Sequence, residues 1–118
     1  MISYEEFVSA LVKPGKDIAK SITPEEANLW HLATGAAGEG GELLDAVKKH
    51  VIYKKELDRE NIIEELGDIE FYCQGIRTAI GVTREEVIEY NMIKLKKRYD
   101  EKYSDAAAIA RADKTGNE

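Results

Sequence analysis

Four acids are spaced so that they could hold a cation: Glu39 and Glu42 form one pair three residues apart, Glu65 and Asp68 another. On a helix, side chains three apart point in nearly one direction, so each pair projects two carboxylates from the same side. Four converging carboxylates repel one another and require a counter-charge. Oxygen-only donors suit a hard cation such as Mg²⁺. If the two helices meet through these sides, the pattern is that of a metal-dependent enzyme with Glu39, Glu42, Glu65 and Asp68 as ligands. Acids at this spacing also occur on ordinary solvated helix faces. These pairs stand out because each borders an apolar stripe and lies among small residues: Gly38, Gly40 and Gly41 beside the first, Gly67 beside the second. Small neighbours let a helix or a ligand come close.

A second set points to phosphate. Asn91, Lys94 and Arg98 follow an i, i+3, i+7 spacing along one edge of a helical segment. An ammonium, a guanidinium and an amide donor together can hold phosphate oxygens, the guanidinium through two parallel hydrogen bonds. A basic helix C-terminus complementing the macrodipole also explains Lys96, Lys97 and Arg98, but it leaves Asn91 without a role. His31 lies eleven residues before Glu42, in nearly the same helical direction if the helix is continuous, and Lys49 and Tyr53 follow on that side. His31 is therefore either a substrate contact or a hydrogen-bonded structural histidine. Trp30, the single tryptophan, reads more readily as a packing residue than as a stacking platform for a base.

The elements that must position these residues all read as helices. Ser3 and Glu6 form a capping-box pattern for a short helix to about Val12, which Pro14 and Gly15 end; residues 13–22 are polar and read as a loop. Thr23, Pro24 and Glu26 start a long helix that runs to about Tyr53. Along it Leu29, Leu32, Ala36, Leu43 and Val47 fall in a stripe roughly 60° wide, the expected buried side, with the acids at its edge. Gly35, Gly38, Gly40 and Gly41 inside this helix cost about 1 kcal/mol each relative to alanine. A close helix approach, a local bend, or a break into two helices would account for them. Residues 54–59 are a charged connection. Asp58 is a candidate cap for a helix through Ile80, in which Ile62, Leu66, Ile69, Cys73, Ile76 and Ile80 repeat at steps of four and three. Gly81 ends it. Thr83 and Glu86 start a last helix to about Asp100, with Ile88, Met92, Leu95 and Tyr99 on its apolar side. No segment reads as a strand. The expected architecture is an all-α bundle of three to four main helices in one domain, residues 1–103, followed by a short helical segment and polar tail, residues 104–118.

Composition is consistent with this and narrows the partners. The chain has 118 residues, 43% hydrophobic and 34% charged, with a net charge of −6, which fits a folded domain of amphipathic helices and disfavours stable nucleic-acid binding. Cys73 is the single cysteine, so no internal disulfide can form and no Cys/His set offers a zinc site. No apolar run is long enough to span a bilayer, and the first residues lack the pattern of a signal peptide; a cytoplasmic protein without a membrane partner is expected. Apolar residues on several faces of the Ile62–Ile80 segment suggest a bundle completed by oligomerisation.

The strings Gly38-Glu39-Gly40-Gly41-Glu42-Leu43-Leu44-Asp45, Glu64-Glu65-Leu66-Gly67-Asp68 and Asn91-Met92-Ile93-Lys94-Leu95-Lys96-Lys97-Arg98-Tyr99, at these separations, resemble the MazG-type all-α nucleoside triphosphate pyrophosphohydrolases. The resemblance is greatest to short single-domain members found in phages and bacteria and covers roughly residues 28 to 112. It implies Mg²⁺-dependent hydrolysis of (deoxy)nucleoside triphosphates to the monophosphate and pyrophosphate. Carried over by position, Glu39, Glu42, Glu65 and Asp68 are the metal ligands and catalytic acids. Substrate contacts fall to His31, Lys49, Tyr72, Asn91, Lys94 and Arg98. The resemblance also implies a homodimer or homotetramer, and it leaves open which carboxylate is the general base. The alternative from another class is a non-catalytic helical interaction module whose acids only solubilise it. A ferritin-like di-iron bundle fits less well, because neither His31 nor His50 has a glutamate three residues earlier.

Overall fold

The structure, a computed structural model, describes residues 1–99; the expected segment 104–118 and the end of the last helix at Asp100 lie outside them. Five α-helices and no strand occur among the described residues: α1 (Tyr4–Leu11), α2 (Gly15–Ser21), α3 (Pro24–Val51), α4 (Arg59–Ile80) and α5 (Arg84–Tyr99). The chain divides into two compact units, Met1–Ile76 and Arg77–Glu118. The first contains α1, α2, α3 and most of α4. The second contains the last turn of α4, and then α5.

Local chemistry sets the helix ends. The Ser3 hydroxyl accepts from the Glu6 N–H at 3.1 Å. At Thr23 the capping box is complete: its hydroxyl accepts from the Glu26 N–H at 3.1 Å, and its own N–H donates to the Glu26 carboxylate at 2.8 Å. Each bond satisfies a donor that has no partner inside the helix. Asp58 accepts from the Asn61 N–H at 3.1 Å and starts α4. In the second unit α4 ends in a Schellman motif. Gly81 has φ +75°, its N–H reaches the Thr78 carbonyl, and the Val82 N–H reaches the Arg77 carbonyl at 3.0 Å. Thr83 and Glu86 then cap α5 reciprocally.

α2 replaces the loop expected over residues 13–22. Pro14, with φ fixed at −61°, presents its carbonyl to the N–H groups of Asp17 and Ile18, and Asp17 and Lys20 complement the dipole at opposite ends. At 7 residues the helix is too short for hydrophobic periodicity to reveal it.

α3 is one unbroken helix of 28 residues despite its interior glycines. Only one of the four is explained by close approach. A Cβ at Gly38, Gly40 or Gly41 would meet nothing within 4 Å, whereas at Gly35 it would overlap the ring of Tyr72 on α4. The reverse arrangement occurs at Gly75 of α4, where a Cβ would lie 2.7 Å from Cδ2 of Leu32 on α3. α3 and α4 thus run antiparallel within the first unit, each offering a glycine to a large side chain of the other.

This contact shares Leu32 with the apolar stripe read from the sequence but is centred to one side of it. At 100° per residue, Leu32, Gly35, Glu39, Glu42 and Ala46 share a face roughly 80° wide, rotated from that stripe. Ala46 is the one apolar side chain buried among the described residues. Leu32, Ala36 and Leu43 on α3, and Ile62, Ile69, Cys73 and Ile76 on α4, are half-buried. Leu44, Ile63, Leu66 and Phe71 are exposed, at 68%, 63%, 52% and 69%.

Candidate metal centre

Moving forward along α3 and backward along α4 by the same steps pairs Leu32 with Gly75, Gly35 with Tyr72, Glu39 with Asp68, and Glu42 with Glu65. The first two pairs are the contacts just described. Continuing in that register brings the acidic ridges together across the two helices. Carboxylate oxygens of Glu39, Glu65 and Asp68 lie within 4.8 Å of one another; Glu39 and Glu65 are half-buried and Asp68 is exposed. Glu42 falls outside this trio and is exposed, but its charge still acts on Glu65.

Electrostatically the cluster is unbalanced. Burial pushes the Glu65 carboxyl above its ordinary value of 4.5, and its side-chain hydrogen bond with Glu39 and the charges of Glu39, Asp68 and Glu42 push the same way. A proton on Glu65 therefore relieves the repulsion when no cation is present. Glu65 Oε2 is shielded from solvent and has no hydrogen-bond partner, the condition of an acceptor waiting for an electropositive group.

These donors fit a hard divalent cation. All are carboxylate oxygens, and around Mg²⁺ such oxygens stand about 3–4 Å apart, from metal–oxygen distances of about 2.1 Å. A trio within 4.8 Å needs only a small inward shift. Neutralising the mutual repulsion drives the shift in that direction.

The other site residues expected from sequence are distributed differently. Tyr72, one turn beyond Asp68, has its ring over Gly35 and edge-on to Phe71, with centroids 5.3 Å apart. His31 is exposed, and eight residues along α3 place it about 12 Å from Glu39 down the axis. Lys49 is about 10 Å beyond Glu42 on the same helix, and it pairs with Asp45 at 3.4 Å on an exposed surface. Neither joins the acidic trio. At the end of α3 the Lys48 ammonium lies over the Tyr53 ring at 5.5 Å, and Nδ1 of His50 bonds to the Lys55 carbonyl at 2.8 Å. Within the second unit, Asn91 is exposed while Lys94 and Arg98 are half-buried on α5.

Sequence reasoning missed Gly75, and for Gly35 it held close approach as one of several explanations without Tyr72 as the partner. The signal of the contact is a large residue and a glycine three apart on each helix, Leu32 with Gly35 and Tyr72 with Gly75, in the same register as the acids.

With the acidic trio placed, the comparison with known families is decisive. The family model of the MazG nucleotide pyrophosphohydrolase domain matches residues 29–102. The chain belongs to this family. No curated relative and no solved structure matches it. The matched MazG segment begins inside α3 and includes both acidic pairs and α5, while α1 and α2 precede it. MazG domains are all-α, metal-dependent nucleotide pyrophosphohydrolases, and the trio is a donor set able to hold the metal. No described helix is long and apolar enough to cross a membrane.

Proposed function

We propose that this MazG domain hydrolyses (deoxy)nucleoside triphosphates to the monophosphate and pyrophosphate with Mg²⁺ as its cation. The convergence of Glu39, Glu65 and Asp68 across α3 and α4 carries the reading. Those three carboxylates hold the ion, with Glu42 as the fourth ligand, one turn further along α3. When bound, Mg²⁺ neutralises charge on the triphosphate and makes a water easier to deprotonate.

The rest falls to the protein's own side chains. A carboxylate of the set accepts the proton of the attacking water; burial and its acidic neighbours raise the proton affinity of Glu65. Cleavage between the α and β phosphates leaves negative charge on pyrophosphate. The proposal assigns Lys94 and Arg98 to that charge by residue type, with Asn91 donating to a phosphate or sugar oxygen. Tyr72 lines the substrate side of the centre, with His31 and Lys49 as outer contacts.

On this reading residues 1–103 are the MazG domain, and the protein is a cytoplasmic homodimer or homotetramer. Self-association is supported by large apolar side chains left open on α3 and α4, among them Leu44, Ile63, Leu66 and Phe71. A panel of NTPs and dNTPs, assayed with Mg²⁺ and with the products resolved, tests the activity. Monophosphate plus pyrophosphate supports it. Release of orthophosphate, or no turnover of any nucleotide, contradicts it.

A further inference from the structure

Resting on the metal centre proposed above, we infer that Gly35 is a positioning residue for that centre: by leaving room for the Tyr72 ring it sets the approach of α4 to α3 at which Glu39, Glu65 and Asp68 converge. Helix propensity alone would favour alanine over glycine at this interior position. The structure gives the opposing reason, since a single Cβ there would overlap Cδ1, Cε1 and Cζ of Tyr72.

The two glycines of the contact differ in what a methyl group would do. At Gly75 the added atom meets the far end of Leu32, a flexible side chain that can rotate aside. At Gly35 it meets one edge of a rigid ring whose neighbour, Phe71, stands perpendicular to it. The ring must then leave the notch or α4 must move away. Gly35 lies four residues from Glu39, and Tyr72 four from Asp68, so the displacement begins about 6 Å along each axis from a ligand. Helices are stiff over that distance. The acids move with the backbone that carries them.

The test measures Mn²⁺ affinity of the full chain without nucleotide, by electron paramagnetic resonance, with helix content followed by circular dichroism. Gly35→Ala should weaken Mn²⁺ binding by about 10- to 100-fold, the range found when groups that orient metal ligands are lost. Gly75→Ala should stay near wild type. In Gly35→Ala/Tyr72→Ala the space is restored, and the affinity should return. A folded Gly35→Ala protein that binds Mn²⁺ as tightly as wild type overturns the inference, as does a double variant that fails to recover. If Gly35→Ala alone loses its helices, the double variant decides: folded and binding supports the inference, while unfolded or non-binding overturns it. A wild-type chain with no Mn²⁺ site refutes the metal centre itself, and the inference falls with it.

Discussion

Alanine at Gly40 should make this protein more stable. The position lies inside α3, between the two acids of the first pair, and a Cβ there would meet nothing within 4 Å. With no clash to relieve and no cavity to fill, the change reduces to intrinsic helix propensity, about 1 kcal/mol in favour of alanine. Gly38 and Gly41 share the open surroundings, so each predicts a gain of the same size. For a chain of this length, about 1 kcal/mol corresponds to a rise in Tm of about 4 °C. Urea unfolding followed by circular dichroism, with EDTA present and protein concentration held fixed, measures the effect without metal or mass-action contributions. A Gly40→Ala variant with an unchanged or lower urea midpoint would refute the reasoning, because the methyl group would then be meeting something. Turnover measured on the same variant shows whether the open space serves the substrate.

Glu42→Gln and Asp68→Asn should each abolish Mg²⁺-dependent turnover while leaving helix content unchanged; full activity in both would remove the acids from the mechanism. The pH dependence follows from Glu65. Its folded value lies above the ordinary 4.5, so its contribution to stability is present below that value and is lost as pH rises through the raised one. In EDTA the wild-type urea midpoint should therefore fall across that interval relative to Glu65→Gln, and parallel profiles would contradict the shift. For the metal the sign reverses. Binding must displace the proton, so Mn²⁺ affinity should rise with pH over the same interval, and a flat affinity profile would argue against Glu65 as a ligand.

The helix boundaries were largely legible because they rest on local chemistry. The hydroxyls of Ser3, Thr23 and Thr83 and the carboxylate of Asp58 accept the helix-starting N–H groups as their spacing implies, and Gly81 takes the left-handed conformation that ends α4. The pairing of acids across α3 and α4 was also foreseeable, since each pair shares a helix face. Which face of α3 meets α4 was not. Hydrophobicity marks Leu29 and Val47, which remain more than a third exposed, while the contact runs through Leu32, Gly35 and Glu39. A helix interface that sets glycines and acids beside one large side chain per helix carries little hydrophobic periodicity. It becomes readable only when the large side chain and the glycine on each helix are matched across the pair. Glu42 illustrates the other limit: identical spacing in the two pairs hides the difference between Glu39, in the trio, and Glu42, outside it.

The most direct test is a crystal grown with Mn²⁺ and measured for anomalous scattering. One or more peaks coordinated by Glu39, Glu65 and Asp68 together is the predicted result. Well-ordered carboxylates at these positions with the ion bound elsewhere would contradict the account.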